Sequence, residues 1–235
     1  MPTPADRPAA VRSLGVITGL VKEANCVRRA SGNDTLLMIH AVAGQANVAR
    51  DTARAMIDRG ASGLLSFGIA GGLDPSLGAG VVVIADAIHE PGGKSWPANE
   101  RWVEALTQFD GAFDSGVILG SDTPIMTARD KRKLFQHTGA LAVDMESHAV
   151  AAVAHEAEVP FAAIRAIGDP AERSIPRAAL PGLSPSGRTR ALPVIAGLLR
   201  RPGDFVDVWR LANETNTALS ALRAVADAGA IDALD

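Results

Sequence analysis

The chain has no tyrosine, and its aromatic residues amount to only 4% of the total. With 47% hydrophobic content and so few rings, the core has to be assembled from Ala, Val, Leu and Ile. A single cysteine, Cys26, excludes an internal disulfide and any cysteine-rich metal site, and suits a reducing compartment. No apolar run reaches the roughly 20 residues that a membrane-spanning helix requires. The Pro/Ala-rich opening, residues 1–10, lacks the apolar segment of a secretion signal, so a cytoplasmic location is expected. Positive charge is not in excess either: the net charge is −3, which speaks against general nucleic-acid binding. Several motifs are missing as well. There is no G-x-S-x-G and no P-loop lysine, and His155-Glu156 meets Val159 where a zinc helix needs a second histidine. Serine-hydrolase, P-loop and zinc-protease chemistry are therefore unsupported, and neither a metal nor another cofactor is called for.

What is present is an alternation of apolar runs and helical spacings over 235 residues, enough for one α/β domain or two small ones. Strands are predicted at 14–20, 35–42, 62–67, 80–88, 116–119, 141–143 and 160–167. Helices are predicted at 45–59, 99–109, 128–136 and 146–156. Strands alternating with helices predict a sheet with parallel pairs, covered on both faces. The core is placed at 11–170. Residues 171–235 are read as a proline-rich loop or lid, a short helix at 191–199 and a longer helix at 205–226, packing on the same domain. From Arg173 to Arg201 there are six arginines and no acid. Such a run serves either as a solvated face or as a basic surface for a phosphate or an anionic membrane.

Three carboxylates stand out at predicted strand ends: Asp144, Glu146 and Asp169. Open α/β sheets bind ligands at the carboxyl ends of their strands, and a buried carboxyl there can be tuned to hold and donate a proton. The alternative reading makes Asp144 or Glu146 a helix cap and Asp169 a turn acid before Pro170. The segment Gly68-Ile69-Ala70-Gly71-Gly72 is read as a glycine loop after a strand. It lets backbone amides approach a ligand, but lacks the pattern of a dinucleotide site because Ala70 stands at the second glycine position.

Four segments taken in order resemble the nucleoside phosphorylase and nucleosidase superfamily. They are Gly15 to Glu23, Phe67 to Leu73 with Gly78 to Val83, Val143-Asp144-Met145-Glu146, and Arg165-Ala166-Ile167-Gly168-Asp169. The resemblance implies a three-layer α/β/α domain with a mixed central sheet and a C-terminal helical extension. It also implies a function: breaking the N-glycosidic bond of a nucleoside through an oxocarbenium-like sugar. In that scheme Asp169 is the acid for the leaving base. Glu146 and Met145 hold the ribose, with Asp144 beside them. Gly68, Ile69, Ala70 and Gly71 form the backbone wall, and Pro124 and Ile125 lie against the base. Glu23, on a loop, activates the nucleophile, and Arg165 orients Glu23 or the nucleophile.

A carboxylate at position 23 would repel phosphate and favour water, although Arg28 and Arg29 lie close enough in sequence to bind phosphate. The family's Ser or Thr before Ala-Gly-Gly is Ile69 here, its Ser before the acid is Gly168, and its base-stacking aromatic is replaced by Pro124. The tail, with Leu198-Leu199-Arg200-Arg201-Pro202 and Trp209-Arg210-Leu211-Ala212, resembles the hopanoid-associated phosphorylases. That implies a lipid-linked adenosyl substrate, adenosylhopane; the basic run allows peripheral membrane contact, and the superfamily resemblance implies a homo-oligomer. A phosphate-dependent purine or uridine phosphorylase, and a non-catalytic nucleoside- or lipid-binding protein, are the competing readings.

Overall fold

A computed structural model describes residues 13–30, 36–42, 44–90, 92–109, 113–179 and 201–234. Its element order is β1 (Ser13–Thr18), α1 (Val21–Ala30), β2 (Leu36–Ala41), α2 (Ala46–Asp58), β3 (Gly63–Gly72), β4 (Val82–His89), β5 (Ser95–Pro97), α3 (Glu100–Thr107), β6 (Phe113–Gly120), α4 (Ala128–Thr138), β7 (Ala142–Asp144), α5 (Ser147–Glu156), β8 (Phe161–Asp169) and α6 (Phe205–Asp227). The predicted helix at 191–199 lies outside the described residues.

The sheet is mixed. β1 pairs in parallel with β2 and β3. β8 runs parallel to β3 and antiparallel to β4. β6 is parallel to β4 and β7, and β7 returns antiparallel to β3. The pairings β3-β8-β4-β6-β7 therefore close on themselves, and the sheet curls around its own middle.

Adjacent residues along the strands alternate between two apolar clusters, as side chains must on a pleated strand. Ile17, Leu64, Val83 and Ala163 join one cluster with Ala49, Ala53 and Met56 of α2 and most of α5. Val16, Leu65, Ile84 and Ile164 join the other with Cys26 and Val27 of α1, Trp102 and Leu106 of α3, and Leu222 of α6. Helices thus cover both faces. The side chains inside are mostly small or aliphatic, as the scarcity of rings requires. Two caps fix helix starts: Asn99 accepts from Trp102 N–H and Thr127 from Asp130 N–H.

Two expectations change. The glycines at 68–72 are not a loop, because they form the second half of β3, flanked by β8 and β7. Glu23 is not on a loop either, but in the first turn of α1. Along α6, Val208, Leu211 and Leu219 are half-buried. Ala218, Leu222, Val225 and Ala226 are buried, whereas Phe205, Val206 and Trp209 near its start are exposed. No helix among the described residues is long and apolar enough to cross a membrane.

Candidate active site

The carboxyl ends of β1, β3, β6, β7 and β8 surround one cavity of about 220 Å³. Twelve residues singled out from the sequence line it: Glu23, Gly68, Ile69, Ala70, Gly71, Pro124, Ile125, Asp144, Met145, Glu146, Arg165 and Asp169. Gly19, Leu20, Gly44, Thr123, Val143 and Ile175 complete the wall.

Glu23 is 1% exposed. Its Oε2 accepts the Leu20 N–H at 2.7 Å and its Oε1 accepts the Ile69 N–H at 3.0 Å, which fixes the carboxyl against β3. Gly68 makes this approach feasible, since a Cβ there would stand 2.8 Å from Glu23 Oε2. Gly19 does the same for Glu146: its Cβ would lie 2.8 Å from Glu146 Oε1 and 3.5 Å from Glu23 Oε2. The two carboxyls therefore meet over one glycine. Burial pushes Glu23 up to about 7, against its backbone donors and the Arg165 charge, which pull it down. Burial also raises Glu146, and the charges of Asp144 and Glu23 add to the shift.

Arg165 is fully enclosed and does not hydrogen-bond Glu23. Its Nε donates to Asp144 Oδ2, and its Nη2 donates to Ser66 Oγ at 2.6 Å and Ser147 Oγ at 2.9 Å. It stands 3.8 Å from Glu146 Oε2 and acts on Glu23 only through space. Asp144 reaches the cavity wall but directs its hydrogen bonds inward. Oδ1 takes the N–H groups of Glu146 and Ser147 at the start of α5, and Oδ2 takes Arg165 and the Ser147 hydroxyl. Asp144 thus braces the start of α5 and binds Arg165 with one side chain. Burial would raise its pKa, but Arg165 and Ser147 outweigh burial and hold the carboxyl below its ordinary range.

Asp169 ends β8. The β3–β8 register passes from Ala70↔Ile167 to Gly71↔Asp169, so Gly168 is an inserted bulge residue. Bulges re-aim the side chain that follows them, and a glycine serves at that point where the family pattern has a serine. Burial raises Asp169, while the Lys131 ammonium, 2.5 Å from its Oδ2, opposes the shift. Lys131, Ser66 and Ser147 were not anticipated. Lys131 and Ser66 lie in stretches that carry no motif and find their partners far away in sequence, whereas Ser147 directly follows the Asp144-Met145-Glu146 motif and bonds Asp144 as well as Ser66 and Arg165. Arg28 and Arg29 do not line the cavity, and Arg28 donates instead to Asn25 Oδ1 at 3.1 Å. No aromatic ring is found among the described residues of the wall, where Pro124, Ile125, Met145 and Ile175 supply the apolar surface.

The arrangement can do acid–base work on a polar ligand: a buried carboxyl near neutrality, a second raised carboxyl beside it at Gly19, and on the same cavity an acid held by an ammonium. The family model of the phosphorylase superfamily matches residues 4–181. Among solved structures, the chain is similar to S-adenosylhomocysteine nucleosidase from Streptococcus pyogenes in complex with 5-methylthiotubericidin. The two are 18% identical over 70% of this chain and 86% of that one, with a TM-score of 0.65. It is similar to 5′-methylthioadenosine/S-adenosylhomocysteine nucleosidase from Helicobacter pylori, with 16% identity over 93% and 99% of the two chains and a TM-score of 0.69. It is also similar to a futalosine hydrolase mutant from Helicobacter pylori strain 26695, with 16% identity over 67% and 89% and a TM-score of 0.61. At these identities the likeness establishes the fold.

Proposed function

The chain belongs to the phosphorylase superfamily, and from that premise we propose that it cleaves the N-glycosidic bond of a 5′-substituted adenosine and releases adenine. The observation that carries this reading is the placement of Glu23 and Glu146 together over Gly19, with Asp169 at the end of β8 on the same cavity. Glu146 accepts hydrogen bonds from the ribose hydroxyls, and Met145 packs against the sugar. As the C1′–N9 bond breaks, its electron pair passes to the purine, whose N7 takes a proton from Asp169. Water attacks C1′ and gives its proton to Glu23, whose raised pKa suits a base working near neutrality. Arg165 positions Asp144 and Glu146 rather than the water. Two of the similar structures carry nucleosidase in their names and one is a hydrolase, which supports water over phosphate as the nucleophile.

We further propose a large apolar 5′ substituent, with adenosylhopane converted to ribosylhopane as the preferred reaction, carried out by a cytoplasmic homo-oligomer that meets the membrane peripherally. The exposed Phe205, Val206 and Trp209, next to the exposed Arg201 and Arg210, support the membrane contact.

The test is chromatography of the protein incubated with 5′-substituted adenosines, with and without phosphate. Adenine without phosphate is expected. Adenine only with phosphate would make the protein a phosphorylase, and nucleoside binding with no adenine from any substrate, adenosylhopane included, would make it a binding protein.

A further inference from the structure

Lys131 lies in the first turns of α4 and is 0% exposed. An ammonium carries three N–H donors. Here they meet Asp169 Oδ2 at 2.5 Å, the Asp169 carbonyl at 2.9 Å and the Pro170 carbonyl at 3.1 Å. No donor is left over for a ligand, and Lys131 is not part of the cavity wall. Its effect on the site passes through Asp169. With Oδ2 committed, Oδ1 is the oxygen without a hydrogen-bond partner among the described residues.

The same two segments are joined at two further points. The Ile175 N–H donates to the Met126 carbonyl at 2.9 Å, and the Ala128 N–H to Ser174 Oγ at 3.1 Å. Pro124 and Ile125 precede α4, Ile175 follows β8, and all three line the cavity. Lys131 therefore pins the acid in place and, with it, the wall against which a base would lie.

We propose that Lys131 is a positioning residue: it presents a single oxygen of Asp169 to the leaving base and, by stabilising the carboxylate, sets the pH range in which this acid gives up its proton. The proposal rests on the reading of Asp169 as the acid. When the C1′–N9 bond breaks and its electrons move to the purine, the proton leaves Asp169 for N7, and the carboxylate left behind is the form that the ammonium favours. Other charges act on Asp169 as well. Glu214 of α6, held by Arg173 at 3.1 Å, pushes in the same direction as burial. Arg165, Glu23 and Glu146 line the same cavity. Among the groups acting on Asp169, Lys131 is the one whose charge favours proton release.

The experiment compares wild type with Lys131→Met, Lys131→Gln and Lys131→Arg, each checked for folding by circular dichroism. Lys131→Gln keeps an N–H donor for the carbonyls if the methionine variant does not fold. The Asp169 carboxyl carbon, identified by its disappearance in Asp169→Asn, is titrated by 13C NMR, a readout independent of turnover. In the neutral variants its midpoint should rise by about one pH unit or more. The basic limb of kcat should move up with it, and kcat should fall about tenfold with KM little changed. Lys131→Arg should bring the titration back towards wild type. An Asp169 carbon that titrates identically in wild type and in a folded neutral variant would overturn the proposal. A wild-type protein that releases no adenine would overturn the functional reading and leave the titration to decide the role of Lys131.

Discussion

Arg165 donates its Nε–H to Asp144 Oδ2 where both side chains are 1% exposed. One buried guanidinium thus faces three buried acids, Asp144, Glu146 and Glu23, and bonds directly to the first. The charges sort accordingly. Asp144 is held ionised, and Glu146 and Glu23 are pushed toward their neutral forms. A single cation among three carboxyls is therefore a way to set different protonation states within one cavity.

Removing that cation should be severe. Arg165→Met leaves Asp144 buried without its counter-charge, a change that typically costs about 3–5 kcal/mol. Adding Asp144→Asn to the same chain should recover part of the loss. Urea unfolding of the two single variants and the double variant gives the coupling, and simple additivity would contradict the pairing.

Glu23 should make stability fall as pH rises. Its carboxyl is pushed from 4.5 to about 7 in the folded chain, so between those values the native state binds a proton that the unfolded state has lost. The sign follows directly: stability present below about 4.5 drains away as pH climbs to about 7, by roughly 3 kcal/mol in all. Glu23→Gln should flatten that part of the pH dependence and abolish turnover. Denaturant unfolding at pH values on either side of the window checks the first expectation and adenine release the second.

Gly68→Ala should damage activity more than folding. The added Cβ would meet Glu23 Oε2 at 2.8 Å and Cδ at 2.9 Å, displacing a carboxyl that two amides hold in place. Such overpacking costs about 1–3 kcal/mol. Gly78→Ala, with nothing within 4 Å of its Cβ, is the control. Equal activity in the two variants would show that the fit at Gly68 is not needed.

The two halves of α6 should respond differently to truncation. Leu222 is 0% exposed, and its replacement by Ala should cost about 2–5 kcal/mol in thermal or chemical unfolding. Trp209 is 60% exposed, and Trp209→Ala should stay within about 0.5 kcal/mol of wild type.

The alternation of strands and helices was legible because apolar runs such as Val82 to Ile84 and Phe161 to Ile164 are buried on both faces. The glycine segment misled because composition suggests a turn, whereas pairing with two neighbours keeps Gly68 to Gly72 in a strand. β5 was missed because Ser95–Pro97 is short and is held by β4 alone. The cavity residues could be picked out because their motifs sit at strand ends. Lys131 could not, since Arg129-Asp130-Lys131-Arg132-Lys133 reads as a solvated helix face and the partner carboxylate lies 38 residues further on. The double duty of Asp144 was equally hidden, because a helix-capping aspartate and an arginine-bound one look the same in one dimension.

A cavity wall without rings has an optical consequence. Trp96 stacks obliquely on His155 with centroids 5.1 Å apart, Trp102 is buried in α3, Trp209 faces solvent, and there is no tyrosine. None of the three indoles lines the cavity. Intrinsic fluorescence will therefore be nearly blind to an occupant of the site. Because those indoles do not touch the cavity, the ultraviolet difference spectrum of a nucleoside losing its base carries little contribution from the protein.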